Sequence, residues 1–439
     1  MIVANEKENW KKWCKELSKN LHGRSKWRLE KLLEGIVFSQ GRKTVTSWLR
    51  GINVTKGYQE YYCFLNKLGR KTGEIATILL WIIWYTLLCN EEKIVAAIDD
   101  TSTGRYGKKV EGAGLHHQQT SKPDGDCWVF GHVWVTLSIV LNHPLFGSVG
   151  LPVFSKLYIR EVDIRHTREG YCKLFQTKLE LALDLVEWFA DFITSKGKTF
   201  WLVFDGGYSK ANFIQELPKS CNAVGRLRRD AALRDLPPPR KPGQRGRSRI
   251  YGKNRISLAK RAGQKRGWKD ACIKGKSLLY KSFCATYRHA KGEILVILIS
   301  FDNQAWTPYF CSNPDANPIE VISVISDRWA IEENFHDLKQ VFGAGQQQVR
   351  SIWSNIACWH LCLWAFVLAH LSTWFTPYER IVDRSSSPWD SRIRRPSISD
   401  RIRFLRREFL SVQFFDFNIL PANMRKLSHA FQTLYRLVC

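Results

Sequence analysis

The chain has 439 residues, 44% of them hydrophobic, a composition that excludes a disordered protein and a length that allows about two to four domains. Lys and Arg number 67 against 40 Asp and Glu, and the resulting formal charge of +27 predicts a polyanionic partner. Because no clear amphipathic anchor accompanies this charge, nucleic acid is favoured over a membrane surface.

Residues 1–90 are predicted to form a helical N-terminal domain, since apolar residues recur at helical spacing in Trp27–Phe38 and Tyr58–Leu68. A short helix is expected over Thr44–Leu49, which two glycines bracket. Such a unit would serve either to bind DNA or to cap a catalytic core, and no feature of the sequence decides between these functions.

Two long apolar stretches are predicted to be buried helices rather than membrane spans. Ile75–Cys89 has only about 15 residues, which is short for a span. Ile352–Phe375 is longer but contains the polar residues Ser354, Asn355, His360 and His370. Cys358 and Cys362 in this stretch flank His360, but buried thiols are favoured over a zinc site because no second ligand pair is near. Without a secretory signal, the thiols are expected to be reduced in a cytosol.

From residue 93 the pattern changes to strands. Strands are predicted over Ile94–Ile98, Trp128–Leu141 and Leu145–Tyr158, followed by a helix over Cys172–Ile193 and a strand over Thr199–Phe204. A hairpin followed by a helical crossover is typical of the start of an RNase H-like fold. Another kind of α/β domain would also fit this order.

A basic block covers residues 226–269, with 16 Lys or Arg and only two acids. Its prolines and glycines predict that much of it is loop. We interpret the block as a surface that follows DNA phosphates, with Arg245, Arg247 and Arg249 as contacts, and a solvated loop is the alternative. After the second apolar stretch, the sequence predicts a polar linker over Arg384–Ser391 and helices near Ser399–Leu410 and Pro421–Leu437.

Carboxylates follow two of the predicted strands. Asp99 and Asp100 come after the first strand, and Asp205 ends the strand over Thr199–Phe204. The carboxyl ends of strands are where α/β sheets place their sites, although an aspartate that caps a turn or helix would look the same. Alternate residues of a strand face opposite sides, so only one of the two adjacent aspartates can point into a site, and the pattern does not say which.

A third carboxylate, Glu332, lies on a predicted helix with Arg328 and Lys339 along the same face. An exposed salt-bridge stripe would give the same spacing. Three carboxylates that converge would suit a hard ion such as Mg²⁺ or Mn²⁺. A pair of such ions supports phosphoryl transfer.

In these residues the chain resembles the DDE transposases of bacterial insertion sequences, over roughly residues 93–375. It is most similar to the group with a Tyr-(2)-Arg-(3)-Glu-(6)-Lys signature, whose spacing Arg328, Glu332 and Lys339 reproduce. Ile325 stands at the tyrosine position, which is a departure from the signature. The first aspartate of the family precedes a threonine, so the resemblance favours Asp100 over its neighbour.

The resemblance implies an α/β fold: an RNase H-like mixed sheet flanked by helices, interrupted by a β-rich basic insertion, with helical N- and C-terminal regions. The catalytic domain would then comprise 91–220 and 311–376, separated by an insertion at 221–310, and 377–439 would form the C-terminal region.

The implied function is a transposase that cuts transposon ends and joins them to target DNA. Asp100, Asp205 and Glu332 would hold two Mg²⁺ or Mn²⁺ ions, and Arg328 and Lys339 would grip the DNA backbone. The expected partner is double-stranded DNA, bound by at least a dimer that pairs two ends at the nucleoid of a bacterial cytoplasm. A related nuclease without strand transfer and a non-catalytic repressor derived from a transposase are the alternatives.

Overall fold

One sheet of twelve strands runs through the computed structural model, which describes residues 6–117, 127–165, 167, 174–301, 305–382, 389 and 394–414. Its strands in chain order are β1 Ile94–Gly104, β2 Gly114–His117, β3 Trp128–His143, β4 Gly147–Tyr158, β5 Phe200–Phe204, β6 Cys221–Arg226, β7 Leu233–Arg234, β8 Arg255–Ile256, β9 Lys269–Ile273, β10 Lys276–Tyr287, β11 Gly292–Ser300 and β12 Trp306–Cys311.

Helices cover the sheet and account for most of the remaining described chain. They are α1 Glu6–Leu17, α2 Trp27–Phe38, α3 Val45–Gly51, α4 Tyr58–Leu68, α5 Thr72–Ile83, α6 Glu161–Ile164, α7 Lys178–Thr194, α8 Ala211–Ile214, α9 Leu258–Gly263, α10 Pro318–Asp327, α11 Trp329–Gln340, α12 Ile352–Thr373, α13 Tyr378–Ile381 and α14 Ile398–Phe414.

The first five long strands have the order β4-β3-β1-β5-β6, in which β1, β3 and β4 are antiparallel and β5 and β6 run parallel to β1. A parallel connection needs a crossover, and α7 supplies it between β4 and β5. Three antiparallel strands, a crossover helix and a parallel pair are the RNase H-like arrangement, so the predicted fold class is confirmed.

The crossover helix begins later than its sequence pattern predicts. Leu174 is 79% exposed and lies outside the helix, and Cys172 is outside the described residues. The side chain of Thr177 accepts from the backbone N–H of Glu180, and the Glu180 side chain accepts from the backbone N–H of Thr177. This capping box satisfies both N–H groups and therefore starts the helix at Lys178.

The strands of the predicted insertion extend the same sheet. β12 pairs with β6, and β11, β10 and β7 follow in order, so the basic block is attached through a continuous ladder. Between β7 and β8 the chain forms an exposed loop, which carries Arg245, Arg247 and Arg249. The prediction of a loop in the basic block is therefore confirmed for this segment.

Helix α12 is the centre of the helical layer, with α1, α2, α4 and α14 packed around it. A Cβ added to Gly69, at the end of α4, would lie 1.9 Å from the carbonyl oxygen of Trp353, so glycine permits this close approach. The N-terminal helices thus share one hydrophobic core with the sheet. This packing is consistent with the second function predicted for residues 1–90, a helical cap on the core.

Two helical segments of the described chain are long and apolar enough to cross a membrane, Tyr58–Leu88 and Ile352–Thr373. The apolar window of the second is 94% buried in the protein, against 50% for the first. The prediction of a buried helix is confirmed for Ile352–Phe375. The predicted helix near Ser399–Leu410 corresponds to α14, whereas Pro421–Leu437 and most of the polar linker lie outside the described residues.

Candidate active site

A polar cleft of about 1720 Å³ opens where β5 ends, beside the middle of β1. The first strand is longer than predicted, since β1 continues past Ile98 to Gly104 and includes Asp99 and Asp100. Five carboxylates line it: Asp99, Asp100, Asp205, Asp230 and Glu332. The cations along its walls are Lys178, Lys210, Arg226, Arg228, Arg229, Arg288 and Arg328. A concave surface that combines clustered acids with a basic wall is suited to binding a polyanion at a cation-assisted reaction centre.

The register of the parallel pair decides which aspartate of β1 faces Asp205. Ile98 pairs with Phe204, so Asp99 and Asp205 are the next residues along the two chain segments, and the charge of Asp205 acts on the Asp99 carboxyl. Asp100 points to the opposite face. The sequence pattern alone leaves this choice open because it contains no information about the partner strand.

Electrostatics agree with the register. Burial raises the pKa of the Asp99 carboxyl to about 7, with a further upward contribution from the charge of Asp205. Two opposing contacts favour the ionised form of Asp99: its Oδ1 accepts from the backbone N–H of Asp100 at 2.8 Å, and its Oδ2 lies 3.6 Å from Nη1 of Arg328. When two carboxylates repel each other in this way, a cation placed between them stabilises their ionised forms.

Arg328 connects the sheet to the helix that carries Glu332. Its Nη2 donates to Oε1 of Glu332 at 2.7 Å while its Nη1 faces Asp99. The predicted salt bridge of the helix therefore exists, but it is part of a larger contact that spans the cleft. Lys339 is not in an exposed stripe, since its ammonium turns inward and donates to Oγ1 of Thr101 at 3.0 Å. Burial lowers the pKa of Lys339 accordingly.

Asp100 belongs to a second network on the α7 side of the sheet. Its Oδ2 accepts from Lys178 at 2.6 Å and its Oδ1 accepts from the hydroxyl of Tyr208 at 3.1 Å. Tyr208 is only 3% exposed, and burial together with the charge of Asp100 raises its pKa well above the ordinary value. Both oxygens of Asp100 are thus bonded to protein groups.

Within the described residues, no three Asp, Glu, His or Cys side chains are placed to share one metal ion. The guanidinium of Arg328 lies between the carboxylates of Asp99 and Glu332 and neutralises them. The chemistry of the donor set still fits a hard divalent ion, because oxygen ligands of this kind bind Mg²⁺ and Mn²⁺. Withdrawal of the guanidinium would leave Asp99, Asp205 and Glu332 as the residues that could hold such an ion.

The raised pKa of Asp99 predicts how stability depends on pH in metal-free buffer. The ordinary carboxyl value is 3.8, so between about pH 4 and pH 7 the folded protein keeps a proton that the unfolded chain releases. Raising the pH through this window should therefore lower the free energy of unfolding, by at most about 4 kcal/mol from this group.

Thermal unfolding at pH 5 and pH 8 tests this expectation when wild type is compared with Asp99→Asn. The variant cannot ionise here, so it should lose less stability than wild type between the two pH values. An equal loss in both proteins would show that Asp99 does not titrate as its burial implies.

The structure places the remaining predicted residues away from the acids. Arg245, Arg247 and Arg249 do not line the cleft, and their loop is exposed. Cys358 and Cys362 are buried in α12, and burial raises the pKa of Cys358 to about 12, as expected for a structural thiol. These positions leave the cleft as the candidate site.

Sequence reasoning missed several cations of the cleft. Arg226, Arg228 and Arg229 are the first cations of the basic block, which starts shortly after Asp205 in the sequence. That short separation could have predicted that they lie near the acids. Lys178 and Arg288 gave no such signal, because each comes to the cleft from a distant part of the chain.

Residues 16–277, more than half of the chain, match a family model described as DDE superfamily endonuclease. The match includes Asp99, Asp100 and Asp205 and ends before Glu332. Among curated proteins, none matches the sequence at a significant level. A cryo-EM structure of the piggyBac transposase synaptic complex with hairpin DNA is similar at 10% identity and a TM-score of 0.32, with 96% of this chain and 75% of that chain covered.

Proposed function

The chain belongs to the DDE superfamily of endonucleases, and we propose that it is a DNA transposase of a bacterial insertion sequence. It would cleave the ends of the element and join them to target DNA by attack of a 3′-hydroxyl on a phosphodiester. The observation that carries the proposal is the proximity of Asp99 to Asp205 beyond the last paired residues of β1 and β5, with Arg328 linking Asp99 to Glu332 in a cleft with basic walls.

The metal ligands in this proposal are Asp205, Glu332 and one aspartate of β1. The family resemblance favours Asp100, but the register and the contacts favour Asp99, and we adopt Asp99. Two Mg²⁺ or Mn²⁺ ions, when bound, supply Lewis-acid activation of the attacking hydroxyl and neutralise charge at the leaving oxygen. The carboxylates fix where that charge is delivered.

The protein's other side chains position the DNA. Arg328 is close to both Asp99 and Glu332, so once released from them it reaches the scissile phosphate and can grip two of its oxygens. Lys339 contacts Thr101 within β1, close to the acids, and would offer a point charge to the neighbouring DNA backbone. The arginines of the opposite wall hold the strand in register without reading its sequence.

The partner is double-stranded DNA, and pairing two element ends requires at least a dimer on the DNA. The exposed loop with Arg245, Arg247 and Arg249 extends the basic surface beyond the cleft. Contacts of this kind release counterions, so affinity should fall steeply as salt rises.

Neutralising Arg245, Arg247 and Arg249 together to Gln should flatten the dependence of DNA affinity on salt. Each lost phosphate contact reduces the slope of log affinity against log salt by about 0.9. The matched control is a triple Gln variant of Lys93, Lys196 and Lys198, which precede β1 and β5 at the end of the sheet opposite the acids and do not line the cleft, and its slope should equal that of wild type. An unchanged slope in the arginine variant would show that the loop does not follow phosphates.

The experiment that tests the function is a joining assay with purified protein and DNA that contains the gene with its flanking sequence. A transposase gives cut ends and products in which those ends are joined to a target plasmid. Cut ends without joined products would identify a nuclease, and binding without cleavage would identify a repressor.

A further inference from the structure

The α7 side of the cleft carries a second arrangement that the metal ligands do not explain. Both carboxylate oxygens of Asp100 accept hydrogen bonds from protein groups, one from Lys178 and one from Tyr208. A carboxylate bound in this way orients its partners more readily than it binds an ion. The inference below rests on the proposed function of the cleft.

Lys178 is the partner that faces the DNA. It lines the cleft, and its side chain is 38% exposed. It is also the first residue of α7, where the partial positive charge of the helix end disfavours a lysine. Asp100 compensates this cost and fixes the ammonium group at the cleft wall.

The ammonium of Lys178 has capacity beyond its bond to Asp100. An ammonium has three N–H donors, and the bond at 2.6 Å uses one of them. The ammonium nitrogen of Lys178 also lies 5.8 Å from the centre of the Tyr158 ring, a cation–π contact that further restricts its position. A lysine held in one position at the N-terminal end of a helix is suited to a phosphate.

We propose that Lys178 binds a backbone phosphate of the DNA strand on the α7 side of the sheet, and that Asp100 is the positioning residue that aims it. This phosphate differs from the scissile one, because Asp100 and Asp99 point to opposite faces of β1. Asp100 therefore acts on DNA binding through Lys178 and does not hold a metal ion.

The test measures equilibrium binding of duplex DNA in EDTA, where cleavage does not intervene. Lys178→Gln and Asp100→Asn should each weaken binding about tenfold, as expected for one charged hydrogen bond. The double variant should bind no more weakly than Lys178→Gln, because Asp100 acts only through that lysine. Lys178→Arg should restore most of the affinity.

The sign of the Asp100→Asn effect excludes the simplest alternative. Removing a negative charge that merely faces DNA strengthens binding, whereas loss of a positioning residue weakens it. The matched control is Lys156→Gln, because Lys156 forms a comparable pair with Asp184 at 2.5 Å but does not line the cleft. Its DNA affinity should equal that of wild type. Tighter binding by Asp100→Asn, or additive losses in the double variant, would overturn the proposal.

Titration with Mn²⁺ alone separates this proposal from the proposed function. Asp100→Asn should bind Mn²⁺ as wild type does, and Asp99→Asn should bind it more weakly. Weaker Mn²⁺ binding by Asp100→Asn would make Asp100 a metal ligand and overturn the inference. Absence of Mn²⁺ binding in the wild type would instead contradict the metal site of the proposed function, and the DNA-binding comparison would still decide the role of Lys178.

Discussion

Replacing Asp205 with Asn or Glu332 with Gln should lower the rate of DNA cleavage by about a thousandfold or more, which corresponds to about 4 kcal/mol in the activation barrier. Each change removes an anionic oxygen from the set that would hold the ions, while leaving the side chain the same size. Asp99→Asn should match this loss, and Asp100→Asn should retain far more activity because its side chain faces α7.

The control for these variants is their fold and DNA affinity. Asp205 and Glu332 are partly exposed in the cleft, so their amide variants should melt near the wild-type temperature and bind DNA at least as well. Single-turnover cleavage then reports on chemistry alone. Cleavage at near the wild-type rate by Glu332→Gln would remove this residue from the site.

Arg328→Lys should bind element ends nearly normally and cleave them about a hundredfold more slowly. The substitution keeps the positive charge but loses the planar pair of donors that Arg328 directs at Asp99 and Glu332. Misplacement of a reacting group by about 1 Å can cost a hundredfold in rate. Cleavage and DNA affinity are to be measured separately at one salt concentration.

Two further variants, Arg395→Lys and Lys339→Ala, separate the role of Arg328 from a general effect of charge near the helix. Arg395→Lys is the matched control, because Arg395 pairs with Glu333 of the same helix at 2.8 Å on the exposed surface. It should cleave normally. Lys339→Ala should weaken end binding by roughly 1–3 kcal/mol through loss of one charged hydrogen bond. Normal cleavage by Arg328→Lys would show that the salt bridges of Arg328 have no role in catalysis.

The sequence predicted the parts of the fold that local patterns encode. The hairpin of β3 and β4, the crossover and the strand before Asp205 follow from alternating or continuous apolar runs bounded by turn residues. The start of α7 was predicted wrongly from periodicity, because Leu174 continues the apolar spacing although it lies outside the helix. The capping box at Thr177 determines where the helix begins.

The candidate site was predictable to the extent that its residues mark strand ends and helix faces. Asp205 and Glu332 met that condition. The choice between Asp99 and Asp100 did not, because it depends on which residue of β5 lies beside β1, and pairing register is a property of two distant segments. Lys178 reaches the cleft through tertiary packing for the same reason.

The most direct measurement of the central claim is the metal preference of Asp99→Cys in single-turnover DNA cleavage. A thiolate is a poorer ligand for the hard Mg²⁺ than for Mn²⁺, so a residue that binds the metal directly shifts the preference when it becomes cysteine. We predict that Asp99→Cys is inactive with Mg²⁺ and regains cleavage with Mn²⁺, while Asp100→Cys shows no such shift. Equal loss of activity with both ions in Asp99→Cys, or the shift appearing in Asp100→Cys, would contradict the assignment of Asp99 to the metal site.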